Sequence, residues 1–384
     1  MTKYQENIAQ TIAFFQNKDI DLGFRKLLDC IIDTQNIELY KKGIDLTEWK
    51  EKNPQSIDEL CDRSIQLLKD ISNENVQEIE RTDFVLKAEN IKKSYGANRF
   101  KMGPVSVQIK KGEVYGLVGE NGNGKTTLLR ILAKELSHDT GKLTYQFKNN
   151  PKSDYDLNTK LVYIPQRTEK WYGSLKDNLK FVLSNYKIAP EENETRVLMM
   201  IARLGLWNYK HLKWSELSSG YKMRFELART LLRQPEILLL DEPLANLDVV
   251  AQQVILEDLK AISNSISNPI ALILSSQQLY EVEKVSDKVI FLKNGEYKED
   301  LVENGEEEAP LIIELDAEIS REELLRVMDG LSMEKLNYNG GVFVIYFTEN
   351  IGISEVLQRL ATHKVALTYL RDITKSTRRF FVKN

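Results

Sequence analysis

Cysteine and histidine are both scarce. The chain of 384 residues has two cysteines, Cys30 and Cys61, and three histidines, His138, His211 and His363. Two cysteines on helix-like apolar faces build no disulfide framework and read as buried free thiols of a reducing compartment. The histidines lie far apart in sequence and suggest no metal site. Long apolar runs are missing too. The best, "EILLL" and "IALIL", fall far short of the about 20 residues a membrane helix needs. The start "MTKYQENIAQTIAFF" is polar, so no secretory signal is visible. Nor is there a surplus of positive charge. Lys and Arg number 53 against 57 Asp and Glu, a net −4 that argues against a surface built mainly to grip nucleic acid, local basic patches aside. The expectation is a soluble, cytoplasmic chain with apolar sequence enough for two or three domains.

What is present falls into three parts. Residues 1–80 read as helical: Tyr4, Ile8, Ile12 and Phe15 recur at helical spacing, as do Phe24, Leu27, Leu28, Ile31 and Ile32. A further helix is expected at "SIDEL", with Ser56 and Glu59 as a capping box and Ile57, Leu60, Ile65, Leu68 and Ile71 on its apolar face. The polar "NENVQEIERTD" reads as a linker. From Phe84 to about residue 300, short β-like runs alternate with helices, which predicts an α/β core of largely parallel strands. After an acidic linker, "LVENGEEEAP", residues 309–384 read as a strand, a helix capped by Ser320 and Glu323, a hairpin at Asn339-Gly340, a helix and a strand. That βαββαβ order is the ferredoxin-like pattern.

The strongest chemical signal is "GLVGENGNGKTT", between a strand-like and a helix-like run. Gly119, Gly124, Lys125 and Thr126 satisfy G-x-x-x-x-G-K-[ST], with Glu120, Asn121, Gly122 and Asn123 between them and Thr127 after. Such glycines let successive backbone N–H groups curl round phosphate oxygens, and the helix N-terminus adds favourable potential. Lys125 would reach the β- and γ-phosphates of a nucleotide, and the Thr126 hydroxyl would ligate Mg2+. Downstream, "PEILLLDEP" is a buried-type strand ending in Asp241 and Glu242. There Asp241 would hold Mg2+ through water and Glu242 would polarise an attacking water as general base. Alone, an Asp-Glu at a strand end is usually a loop entry; with the phosphate loop it is a second half-site. Between the two lies "LSSGYKMRFELARTLLRQP", whose "SSG" is by itself an ordinary helix N-cap.

In this order the motifs resemble those of the ATP-binding cassette (ABC) ATPases, over about residues 84–300. The resemblance implies a P-loop core with antiparallel β and helical subdomains, ATP and Mg2+ as ligands, and a pair of cassettes, as homodimer or heterodimer, enclosing two ATP. Ser218 and Gly220 match the family's signature, which closes on the nucleotide of the opposite cassette, whereas Ser219 and Tyr221 depart from its commonest form. Tyr95 stands where the family stacks an aromatic on adenine, although with 16 tyrosines in the chain only its position speaks for it. Gln166 matches the glutamine loop, which touches Mg2+ or the attacking water and relays to the membrane partner. Asp248, in "LANLD", matches the loop that crosses the dimer interface. Residues 174–216 would be the helical subdomain, with Val197, Ile201 and Leu204 on one face as core packing.

One position departs from the family. "LSSQQLYEVE" puts Gln277 where a histidine contacts the γ-phosphate. An amide can donate to a phosphate oxygen but carries no proton. The resemblance therefore implies slow hydrolysis through Glu242, or a switch that does not hydrolyse. The variant "SSGYK" and the tail "YLRDITKSTRRFF" are similar to ATPase subunits of ABC-2-type exporters, which implies a separate integral membrane permease and a place on the cytoplasmic face of the membrane. A soluble ABC ATPase of translation or DNA maintenance is the alternative. Against it, the chain has one cassette, and Ser218 follows Lys125 by only 93 positions (218 − 125) without a heptad run. No nucleic acid partner is expected.

Overall fold

The computed structural model describes residues 2–79, 84–96, 100–186, 188–278, 282–298, 310–339, 341–348 and 351–374. The linker "LVENGEEEAP" except Pro310, Gly340 of the expected hairpin, Leu279 and Glu281 of the run after Gln277, and the tail beyond Thr374 lie outside them.

The N-terminal periodicity becomes four helices: α1 (Lys3–Gln16), α2 (Ile20–Asp33), α3 (Ile37–Lys52) and α4 (Ile57–Ile71). Tyr4, Ile8 and Phe15 are buried on α1, and Phe24, Leu27, Leu28 and Ile31 on α2. Both cysteines are buried free thiols. The start of α4 corrects the sequence reading. Ser56 is its N-cap (φ −88°, ψ 56°) but makes no side-chain capping bond. The buried face holds Leu60, Cys61, Leu67, Leu68 and Ile71, while Ile57 is 48% exposed.

Then follow β1 (Phe84–Ser94), β2 (Lys101–Lys110), β3 (Val114–Val118), α5 (Lys125–Leu132), β4 (Thr140–Tyr145), α6 (Asp154–Lys160) and β5 (Leu161–Ile164). The helical subdomain contributes α7 (Leu175–Ser184) and α8 (Pro190–Arg203), where Val197, Ile201 and Leu204 are buried as core. The chain continues with α9 (Ser219–Leu231), β6 (Ile237–Leu240), α10 (Val249–Ser263), β7 (Ala271–Ser276), β8 (Lys288–Lys293) and β9 (Glu296–Lys298). Strands β2-β1-β4 form an antiparallel sheet, and a six-stranded sheet runs β5-β6-β7-β3-β8-β9, parallel up to the final β8–β9 pair. Every residue of β3, β6 and β7 is buried, the all-apolar habit of parallel strands covered on both faces. Because β7 lies between β6 and β3, the C-terminal ends of three strands meet side by side, where open α/β sheets bind ligands.

Two compact units result: Met1–Gln277 with Lys284–Lys298, and Gln278–Glu283 with Glu299–Asn384. Within the first, α2 and α3 pack on α8. Asp33, at the end of α2, accepts from the Ser265 and Ser267 hydroxyls (2.7 and 3.0 Å) and from the Ile266 and Ser267 amides (both 3.1 Å). Buried Arg203 of α8 binds Asp29 of α2 and Asp258 of α10, the latter at 2.6 Å. In the second unit, β10 (Ile312–Ala317), α11 (Arg321–Val327), β11 (Met333–Asn339), β12 (Val342–Phe347), α12 (Ile353–Thr362) and β13 (Leu367–Asp372) give an antiparallel sheet ordered β11-β12-β10-β13. That is the ferredoxin-like order, and the capping box of Ser320 and Glu323 is formed on α11.

Candidate functional site

The phosphate loop bends from β3 into α5. Gly124, at the helix N-cap, has φ +97°, and a Cβ there would meet the Phe100 ring at 2.9 Å. At Gly119 a Cβ would lie 2.5 Å from the Leu292 carbonyl, so the neighbouring strand β8 requires glycine. Glu120, Asn121 and Gly122 form the exposed tip. Asn123 is buried and fixes the loop from behind, donating to Leu292 O (3.3 Å) and accepting from the Asn294 amide (3.1 Å). Lys125 is 5% exposed, and its ammonium donates to the loop's own carbonyls, Gly119 O (2.7 Å) and Glu120 O (3.3 Å). The Tyr95 hydroxyl is 3.4 Å from Thr127 Oγ1, and its ring is 42% exposed beside the loop.

The carboxylates at the end of β6 complete the cluster. Asp241 Oδ2 accepts from Thr126 Oγ1 (2.8 Å) and from the Tyr163 hydroxyl (3.1 Å), and Oδ1 from Ser275 Oγ (2.8 Å). Burial, then the charge of Asp241, push the Tyr163 phenol well above its ordinary range, so it stays a donor. Glu242 turns at φ +47°, an uncommon conformation for a non-glycine residue, and its amide donates to Ser275 Oγ (2.9 Å). That turn presents its carboxylate to three groups: Gln166 Nε2 at 2.9 Å, Gln277 Nε2 at 3.1 Å and Lys125 Nζ at 3.5 Å. The residue in the histidine position thus grips the candidate base.

The structure brings Lys125, Thr126, Gln166, Asp241, Glu242 and Gln277 together, with Tyr95 and Thr127 alongside. Ser218, Gly220 and Asp248 sit apart, at helix starts. Ser218 caps α9 (Tyr221 N to Oγ, 3.5 Å), Asp248 caps α10 (Ala251 N to Oδ1, 2.9 Å), and a Cβ on Gly220 would touch Ala251 at 3.3 Å. Ser219 Oγ ties the two segments through Asn246 O at 3.1 Å. Sequence reading missed Tyr163 and Ser275, two of the three hydroxyls that bond Asp241. Both lie in apolar runs, and the only signal was their place just before Gln166 and Gln277.

The ABC transporter family model matches residues 102–245, which leaves α1–α4, β1 and everything from α10 onward outside. Over 218 residues, 55% of this chain, the sequence is 33% identical to the uncharacterized ABC transporter ATP-binding protein MJ1023 of Methanocaldococcus jannaschii, and the match spans 74% of that protein. The chain belongs to the ABC transporter ATPases. The linearmycin resistance ATP-binding protein LnrL of Bacillus subtilis is 31% identical over 214 residues, again 55% of this chain and 67% of that protein. The solved structure of cbiO1 from Clostridium perfringens, part of the ABC transporter complex cbiONQ, is similar at a TM-score of 0.51 and 26% identity, covering 56% of this ATPase and 88% of that chain. Relatives named for import, of spermidine/putrescine and of Fe(3+) ions, are matched over 59% and 56% of their length. No helix among the described residues is long and apolar enough to cross a membrane.

Proposed function

We propose that this ABC ATPase hydrolyses ATP between two cassettes, as homodimer or heterodimer, and drives a separately encoded membrane permease, as an exporter, from the cytoplasmic face of the membrane. In this reading residues 1–80 are a helical extension, 84–300 the ATPase and 309–384 an accessory ferredoxin-like domain. The observation that carries hydrolysis is the setting of Glu242: its carboxylate is oriented by two neutral amides beside the phosphate-loop lysine.

ATP would replace the loop carbonyls as partner of Lys125, with its phosphates in the N–H cradle of residues 119–127 and adenine on Tyr95. Mg2+ fits the donors present. Thr126 Oγ1 and Asp241 Oδ2 lie 2.8 Å apart beside the Gln166 amide, an all-oxygen set of the kind the ion takes together with nucleotide phosphates. Bound there, Mg2+ would neutralise charge on the phosphates. Glu242 would accept a proton from the attacking water, with Gln166 and Gln277 fixing its direction. Because an amide nitrogen has two N–H donors, Gln277 can hold Glu242 with one and offer the other to the γ-phosphate.

Support for the dimer comes from the exposed apolar Val249 and Val250, 77% and 74% exposed directly after Asp248, which a second cassette would cover. Support for an exporter is the "SSGYK" variant, together with the similarity to a resistance protein. ATP turnover of the purified protein tests the core of the reading. Glu242→Gln should lower kcat by about 100-fold or more and leave ATP binding intact. Equal turnover by wild type and variant would sink hydrolysis through Glu242 and leave a nucleotide-gated switch.

A further inference from the structure

A cavity of about 600 Å³ lies between α1, α2, α8 and the C-terminal ends of α9 and α10. Its size is that of a small-molecule pocket, and it shares no residue with the phosphate loop or the Asp241–Glu242 cluster. Ile32, Leu183, Met199 and Leu232 give it an apolar floor.

Its polar lining is not satisfied from within. Asp29 Oδ2 and Arg233 Nε are buried without a hydrogen-bond partner, and native proteins rarely leave such atoms orphaned. The charges that line the cavity differ in how they are answered. Arg203 is neutralised by Asp29 and Asp258, and Arg196 by Glu192 at 2.5 Å. All the hydrogen bonds to Asp33 Oδ1 come from residues 265–267. Arg233 and Lys26 have no carboxylate at ion-pair distance among the described residues. With Lys3 added, the cations that line the cavity (Lys3, Lys26, Arg196, Arg203 and Arg233) outnumber the carboxylates that line or pair with them (Asp29, Asp33, Glu192 and Asp258), so the surplus facing the cavity is positive. Burial, then the like charge of Arg229, press the Arg233 guanidinium below its ordinary range, a strain that an anion would relieve.

We propose that this cavity binds a small amphipathic anion, its acidic head on Arg233 and its apolar body against Ile32, Leu183, Met199 and Leu232. The lining is drawn from the N-terminal helices, the helical subdomain and the ATPase core alike, so an occupant would tie all three together and raise the melting temperature.

Isothermal titration of the full chain with decanoate, and with decanol as its uncharged counterpart, tests the site. Decanoate should bind about tenfold or more tighter than decanol and should raise Tm, the difference a charge-assisted hydrogen bond supplies. Arg233→Gln should remove that preference, and Met199→Trp, which puts an indole into the apolar floor where the ligand's body would lie, should weaken binding of both. Neither residue belongs to the nucleotide site, so each variant should keep wild-type ATP turnover as a check on folding. Decanoate that binds no tighter than decanol, or binds Arg233→Gln as it binds wild type, overturns the proposal.

Discussion

Gln277 shows what a single amide changes. A histidine there would bring an ionisation near pH 6.5, whereas glutamine brings none. Wild-type turnover should therefore lack a limb at pH 6–7, and Gln277→His should acquire one, as a pH profile of kcat would show. Gln277→Leu removes the donor to Glu242 (3.1 Å) and should lower kcat by about tenfold, with a smaller rise in KM from the lost γ-phosphate contact. A rise in KM without loss of kcat would place Gln277 on substrate binding alone. The ingredients of this site were legible in the sequence because phosphate binding imposes fixed spacings on glycine, lysine and threonine. Who orients whom was not. Tyr163 and Ser275 reach Asp241 across 78 and 34 positions of chain, and only their place just before Gln166 and Gln277 hints at that contact.

Among the elements, caps separate what local sequence decides from what it does not. Ser320 and Glu323 close their box, while Ser56 has the right residue type and makes no capping bond. The helical periodicity located α4 correctly but misplaced its inner face by counting Ile57, which only the neighbouring helices could settle. The anchor at the end of α2 was invisible for the same reason, because Asp33 meets donors 232 to 234 positions away. Asp33→Ala should leave those donors unanswered and cost about 2 kcal/mol or more in urea unfolding. Asp33→Asn keeps the accepting oxygen and should cost little. Burial raises the Asp33 pKa against the opposing hydrogen bonds from Ser265 and Ser267. The folded state therefore holds the proton more tightly than the unfolded chain. Stability should fall as pH rises from the ordinary carboxylate range through the raised native value. In Asp33→Asn that decline should be absent, and urea midpoints across pH 4–7 would check it.

For the molecule as a whole, Arg203 is the tie between the N-terminal helices and the ATPase core. Asp29 and Asp258 hold its charge in place although burial opposes it, the net effect being a raised pKa. Arg203→Met would leave Asp258, 2% exposed, with only Arg25 at 3.9 Å, and should cost about 3–5 kcal/mol. Adding Asp258→Leu should restore a large part of it, a coupling that a double-mutant cycle would read. Assembly is tested at the same scale. Glu242→Gln with ATP should double its mass in sedimentation, and Val250→Asp should prevent this. The α/β core and the ferredoxin-like sheet were legible from element order, because each repeats a known alternation. The union of the first four helices with the core was not, since it rests on contacts between residues far apart in the chain.

Those distant contacts set a timetable for synthesis. The helices α1–α4 leave the ribosome with the surfaces that meet α8 and the 265–267 turn still unanswered. At roughly 5–20 residues per second, Asp33 waits on the order of 10–50 s for Ser265 to be made. During that interval the nascent chain presents an apolar helical face and a row of lone charges, a species suited to chaperone capture. A pause in translation between residues 33 and 265 should lengthen that exposure and lower the soluble yield without altering a single native contact.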